Sequence, residues 1–365
     1  MIVDTTDLDD FGVYVHIPFC RHRCDYCAFA TWTDRDGLMV DYANGCRREV
    51  AQAELPDASS VFFGGGTPSL LPAHLLVAVL ESVSVRARAE VTVECNPETV
   101  TAALLDCYRA AGVNRLSFGV QSLAPDVLAA LGRRHDPASV ERSVSLARDA
   151  GFSSINLDLI FGGAGESLAD WAATLDGALA LQPDHISAYA LTVEAGTPLA
   201  QDPARWPDDD EQADKYLLAD ERLEAAGLIW YEISNWARPG WECRHNRLYW
   251  AQGDYRGVGC AAHSHQAGRR WWNVRTPERY LERIRSGRSP VGGEELLDPE
   301  AGARERGQLA LRTRDGVETE ALPDAPGLED LVAREGGRAV LTVRGRLLAN
   351  EVAAHLLARP VGSSL

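Results

Sequence analysis

Apolar and polar residues alternate in short runs that recur through the first half of the chain. In the first run Val13, Val15 and Ile17 fall on one side and Tyr14 and His16 on the other, which predicts a strand that Pro18 ends. Similar runs predict strands at 60–63, 90–94, 115–120, 154–160 and 185–191. Between them the apolar spacing changes to three and four residues. That predicts helices at 38–54, from near Pro72, and at 101–111, 124–131, 137–150 and 168–181. Six strand–helix alternations predict a parallel sheet with helices outside it. Six units are too few for a closed eight-stranded barrel, so the expected fold class is α/β, an open partial (β/α)6 barrel.

From Pro207 the pattern changes. Asp208-Asp209-Asp210-Glu211 opens a helix running to 226, where an acidic first turn suits the helix dipole. A strand is expected at 229–233, then a loop rich in aromatics, glycine and histidine from 235 to 272. A linker at 287–293 precedes helices and a basic, hairpin-like stretch at 338–346. This divides the chain into a core with its extension, 1–285, and a small helical or winged-helix-like C-terminal domain, 286–365.

Composition narrows the class. At 365 residues, 45% hydrophobic and 24% charged, the chain is long enough for a full core and ordinary for a soluble protein. A net charge of −17 disfavours nonspecific binding to nucleic acid or anionic membranes. No apolar run is long enough to span a bilayer, and residues 1–10 are acidic without an apolar core, so neither a transmembrane segment nor a secretory signal is expected. Of eight cysteines three are clustered and five scattered (Cys46, Cys95, Cys107, Cys243, Cys260). That is no secreted disulfide framework and predicts a reducing cytoplasm.

The clustered cysteines, Cys20, Cys24 and Cys27, follow the first strand at C-x₃-C-x₂-C spacing. Thiolates are soft ligands that suit iron–sulfur clusters. Three of them on a [4Fe–4S] cube leave one iron open to a small chelator. A zinc site with His22 as fourth ligand is the alternative, although no second paired set follows. Gly64-Gly65-Gly66-Thr67-Pro68 closes the second strand with backbone that a ligand can approach. It is neither a P-loop nor G-x-G-x-x-G, and a plain tight turn is its other reading. Glu94, Gln121 and Asp158 close later strands and Arg133 follows, at the face where α/β barrels build sites. Together they fit a polar ligand. Asp158 lies in an apolar run and, if buried, needs a partner.

The segments 14–27, 64–70, 115–122, 156–162, 185–197, 231–236 and 245–250 together resemble the oxygen-independent coproporphyrinogen III oxidase superfamily of radical S-adenosylmethionine (SAM) proteins. Within it the chain is most similar to the haem-chaperone branch. The resemblance spans nearly the whole chain and is most specific through Ser264. It implies a [4Fe–4S] cluster on Cys20, Cys24 and Cys27, with SAM on the open iron. It implies Tyr14, Tyr26, Gly65, Gly66, Thr67, Glu94, Gln121, Arg133, Asp158 and Ala190 around SAM, with the amino group on the glycine loop. Gly163-Ala164 departs from the family's usual Leu-Pro and implies a looser loop there.

Two features separate the branches. The oxidase branch resembles C-x₃-C-x₂-C-x-C, and Phe29 stands at that fourth cysteine. His245-Asn246-Arg247-Leu248-Tyr249-Trp250 matches the H-N-x-x-Y-W pattern associated with haem in the chaperone branch. An imidazole is a good axial ligand, and flat aromatics offer apolar area to a macrocycle. Cys243, His263 and His265 are rival ligands. The resemblance thus implies a cytoplasmic haem chaperone that binds a [4Fe–4S] cluster, SAM and haem. It would deliver haem to a recipient haem protein, a respiratory one among the candidates. The alternative is a radical-SAM enzyme of porphyrin biosynthesis that decarboxylates coproporphyrinogen III, with Arg133 and Arg134 as carboxylate anchors. A third reading is an iron–sulfur scaffold with neither activity.

Overall fold

The computed structural model describes residues 10–322 and 327–357; the acidic start, 1–9, lies outside the described residues. The first half alternates as its pattern predicts: β1 (Phe11–Ile17), α1 (Met39–Ala53), β2 (Ala58–Gly65), α2 (Ala73–Leu80), β3 (Val85–Cys95), α3 (Ala102–Ala110), β4 (Arg115–Gln121), α4 (Pro125–Ala130), α5 (Ala138–Asp149), β5 (Ser154–Phe161), α6 (Leu168–Ala180) and β6 (His185–Ala190). These six strands pair in parallel in sequence order, and the sheet is open. The fold is the expected α/β partial barrel.

Period-two alternation sorts the sheet into two unlike faces. Val13, Val15, Ile17, Val61, Phe63, Val91, Val93, Leu116, Phe118, Ile155 and Leu157 join one apolar core with Tyr42, Leu76, Val79, Leu105, Val144 and Trp171 of the helices. The opposite face carries Tyr14, His16, Ser60, Glu94, Ser117, Asn156, Asp158, His185 and Ser187, brought into line by the strand register. Burial of the apolar face holds the sheet to its helices. The polar face is left to build a site.

The second half departs from expectation. After α7 (Asp209–Ala225), β7 (Ile229–Glu232) stands where a strand is expected, but the region read as a loop from 235 to 272 contains β8 (Asn235–Ala237), α8 (Arg244–Trp250), β9 (Asp254–Val258), β10 (His263–Gln266) and β11 (Arg269–Asn273). β8 and β7 extend the sheet beyond β6, while β9, β10 and β11 extend it beyond β1. β9 runs parallel to β1, and its neighbour β10 is antiparallel to it. The strands are three to five residues long, and β9 has Gly257 inside it, so alternation has no room to show.

After α9 (Pro277–Arg285), the segment read as a linker forms β12 (Val291–Leu296) on the far edge of the same sheet. The main sheet therefore runs past residue 285. Beyond it α10 (Pro299–Leu311), β13 (Val317–Glu318), β14 (Val332–Glu335), β15 (Arg338–Leu341), α11 (Val343–Leu347) and α12 (Ala349–Leu357) contain a three-stranded antiparallel sheet, and most of them share a separate apolar cluster around Leu341, Val352 and Leu356. The hairpin is β14–β15, and the end of the basic stretch, 343–346, is helical.

Candidate functional site

The cysteine loop leaves the C-terminal end of β1 and is pinned at both ends and in the middle. The Cys20 amide donates to Trp32 O (3.0 Å) and the Trp32 amide to Pro18 O (2.8 Å). Midway, the Asp25 amide donates to Leu131 O (3.3 Å), and Arg205 donates to the Asp25 carboxylate at 2.8 Å. The three thiols are free and half-buried, whereas His22 is exposed. Among the described residues no three His, Cys, Asp or Glu side chains converge on a single metal-ion position.

The glycine loop abuts the cysteines. A Cβ on Gly66 would stand 2.7 Å from Phe19 O and 3.0 Å from Cys20 Sγ, so a larger residue would push the two loops apart. Gly65 has φ +109, and a Cβ there would lie 2.5 Å from the His16 ring. Thr67 Oγ1 donates to Cys20 Sγ at 3.7 Å, and Arg133 Nη1 to Cys24 Sγ at 3.5 Å. Burial pushes the Cys20 thiol up to about 11 and also raises Cys27. A bound cationic centre reverses that cost, because metal-bound thiols are deprotonated.

Several polar groups here lack full partners. Arg133 Nη2 donates to Gly119 O at 2.6 Å, but its Nε is buried without a partner. Glu94 accepts the Gly65 amide at 3.1 Å. Burial first, then the charge of Asp158, holds its carboxyl up at about 8 against that one hydrogen bond. Gln121 sits at φ +65 beside a register shift at the end of β4, a strained backbone of the kind that collects at sites. Ala190 ends β6 and is exposed. Tyr26 packs on the cluster formed by Val127, Leu131, Leu191 and Leu199. This donor set fits the implied groups: soft thiols on one side, and on the other a half-buried carboxylate with a single backbone hydrogen bond, which suits a cationic ligand.

Asp158 lies deeper and has the partners it needs, Ser117 Oγ and Asn156 Nδ2, both at 2.8 Å. Burial still raises its pKa. Below it Asn156 Oδ1 accepts His185 Nδ1–H (2.6 Å), Tyr231 OH donates to His185 Nε2 (2.7 Å), and the Cys243 amide donates to Tyr231 (3.4 Å). Sequence reasoning missed this network. Its signal was the repeated polar position on alternate residues of β4, β5 and β6.

His245 is not part of the mouth. It is 1% exposed on α8, and its Nδ1 and Nε2 lie 2.9 Å from Ser60 Oγ and 2.9 Å from Tyr249 OH. Its ring stacks on Phe62 at 5.4 Å, and burial lowers its pKa to about 3. Glu90 accepts the Arg244 and His245 amides at 3.0 and 3.3 Å, fixing the helix start. α8 thus closes the N-terminal end of the polar face. Both ring nitrogens are engaged by hydroxyls, so haem iron would have to displace one of them to reach the expected ligand.

Gly163-Ala164 does not loosen its loop. The Glu166 carboxylate accepts the Gly162 amide at 2.6 Å, the Glu166 amide returns to Gly163 O, and Lys215 Nζ donates to Glu166 O at 2.7 Å.

Residues 14–178 match the Radical SAM superfamily. The chain is 43% identical to the haem chaperone HemW of Mycobacterium tuberculosis over 95% of each chain. It is 33% identical to that of Bacillus subtilis, over 93% of this chain and 97% of the relative. HemW of Escherichia coli is 40% identical over 70% of each. Among solved structures, coproporphyrinogen III oxidase (HemN) from Escherichia coli superposes with a TM-score of 0.80 over 94% of this chain and 89% of that one, at 22% identity, a likeness of fold alone. On identity that runs nearly end to end, the chain belongs to the HemW family of the radical SAM superfamily.

Proposed function

We propose that the chain is a haem chaperone, holding a [4Fe–4S] cluster and SAM at the barrel mouth and passing haem to a recipient haem protein. The observation that carries this reading is the 43% identity to a haem chaperone across 95% of both chains. Phe29, 67% exposed where the oxidase pattern has cysteine, supports it further. In this reading Cys20, Cys24 and Cys27 ligate three irons, leaving one for the amino and carboxylate groups of SAM. The bound cluster supplies an electron and a Lewis-acidic iron.

The chain's own residues bind and orient. Gly65, Gly66 and Thr67 offer backbone to the SAM amino group, and Glu94 faces its positive charge. Arg133 steadies the Cys24 sulfur. Tyr14, Tyr26, Gln121, Asp158 and Ala190 complete the surroundings, Asp158 from deeper in the sheet. Eight free thiols support a reducing, cytoplasmic setting. Among the described residues no helix is long and apolar enough to cross a membrane. A respiratory haem protein is the proposed class of recipient.

The test is anaerobic reconstitution followed by parallel assays of haem binding and coproporphyrinogen III decarboxylation. Haem retention and transfer to an apo-haem protein, without decarboxylation, is the expected result. Robust carbon dioxide release would replace this reading with the oxidase one.

A further inference from the structure

The histidines differ in what their ring nitrogens have left to give. In His16, His185 and His245 both nitrogens are engaged, by Tyr14 and Ala30, by Asn156 and Tyr231, and by Ser60 and Tyr249. His265 donates Nδ1–H to Gly253 O, and its Nε2 is buried. His263 is exposed, and its Nδ1 lies 3.1 Å from Ala261 O. A carbonyl only accepts, so Nδ1 carries the proton and Nε2 keeps its lone pair. Metal-ligating imidazoles are held in this way, one nitrogen tied to a carbonyl and the other free. Ala261 itself sits at φ +57, a strained conformation for an L residue, locked by its amide on Val274 O at 3.0 Å.

The surroundings suit a macrocycle. Trp272 lies directly across from His263, and the two rings stack at 5.7 Å and 30°. The indole is 37% exposed and rests on Gly293, where a Cβ would come within 2.6 Å of it. The register carries this pair onto the same face as Tyr14. His16 holds Ala30 beside the exposed Phe29. Arg275, exposed and without a partner among the described residues, lies just past the end of β11.

We propose that His263 Nε2 is the axial ligand of the haem this chain carries. Trp272 braces the imidazole and would offer the macrocycle apolar area, and Arg275 would supply a cation for a propionate. The assignment rests on the haem reading above.

Ferric haem is titrated into the full chain with its cluster reconstituted, comparing the parent with His263→Ala, Trp272→Ala, Arg275→Gln and His245→Ala by absorbance and spin-state spectroscopy. His263→Ala should shift the Soret band and weaken binding by about tenfold or more. Added imidazole should restore the parent spectrum. Trp272→Ala and Arg275→Gln should weaken binding severalfold with the ligand signature kept. Unchanged iron–sulfur content in each variant shows that the core is intact. If the parent binds haem and His263→Ala keeps both spectrum and affinity, or if only His245→Ala loses them, the assignment is overturned while the chaperone reading stands. If the parent takes up no haem, the chaperone reading fails and the site with it.

Discussion

The two ends of one polar sheet face follow opposite rules. At the floor, near the strand N-termini, His245, Ser60, Tyr249, Glu90, His185 and Asn156 engage one another at hydrogen-bonding distance, although Thr92 Oγ1 and Arg115 Nε are buried there without a partner. At the mouth, Glu94 accepts one amide, Arg133 Nε has no partner, and three thiols stay half-buried. Buried polar groups are costly unless paired, so the side-chain network of the floor serves the fold, while the half-buried thiols and carboxylate of the mouth await a ligand. The comparison predicts that mutations at the two ends fail differently.

The largest effect belongs to the cysteines. Replacing Cys24 with Ala should remove most of the about four irons expected per chain after anaerobic reconstitution. Far-UV circular dichroism should be unchanged, because the loop is pinned by the backbone of Cys20, Asp25 and Trp32. Full cluster content in this variant would sink the assignment of the mouth.

At the floor the damage should be to stability. His245→Ala opens a cavity and strands the Ser60 and Tyr249 hydroxyls, which costs about 3 kcal/mol. Denaturant unfolding of the cluster-free chain measures it. A shift too small to resolve would mean that the Ser60–His245–Tyr249 hydrogen bonds do not hold the floor together in solution.

The ends also differ in how far the sequence revealed them. The mouth was legible because its thiols are fixed by covalent spacing, 20, 24 and 27, and its glycines by their place after a strand. The floor was not. The partner of His245 is Ser60, 185 residues away, and no local motif says whether an imidazole meets a hydroxyl or a metal. The edges of the sheet were hidden for a related reason. β9 pairs with β1, at the other end of the chain, and that pairing makes a strand of five residues with Gly257 inside it. Tertiary context overrides local preference there. The first six strands were legible because each is backed by its own helix, so the pattern changes period at every boundary.

Glu94 sharpens the contrast through pH. Its carboxyl is held up at about 8, above the ordinary 4.5. The protonated form favours the folded state, so this stability is fully present below about 4.5 and is lost as pH rises through about 8. Glu94→Gln should remove that component, leaving a shallower decline in the cluster-free chain between those limits. Identical pH profiles for parent and variant would mean that Glu94 is already paired.

The smallest effect is expected at Phe29, on the rim between protein and solvent. The ring is 67% exposed and buries little area, so Phe29→Cys should change unfolding stability by no more than about 0.5 kcal/mol. The new thiol would stand two positions after Cys27, where the oxidase pattern has its fourth cysteine. It should still confer no coproporphyrinogen III decarboxylation. Orienting a macrocyclic substrate over a reacting centre depends on many contacts placed within a fraction of an ångström, and one rim thiol supplies none of them. Carbon dioxide release from this single variant, assayed anaerobically with SAM and a reductant, would mean that the mouth is already shaped for the substrate. The line between chaperone and oxidase would then run through residue 29 alone.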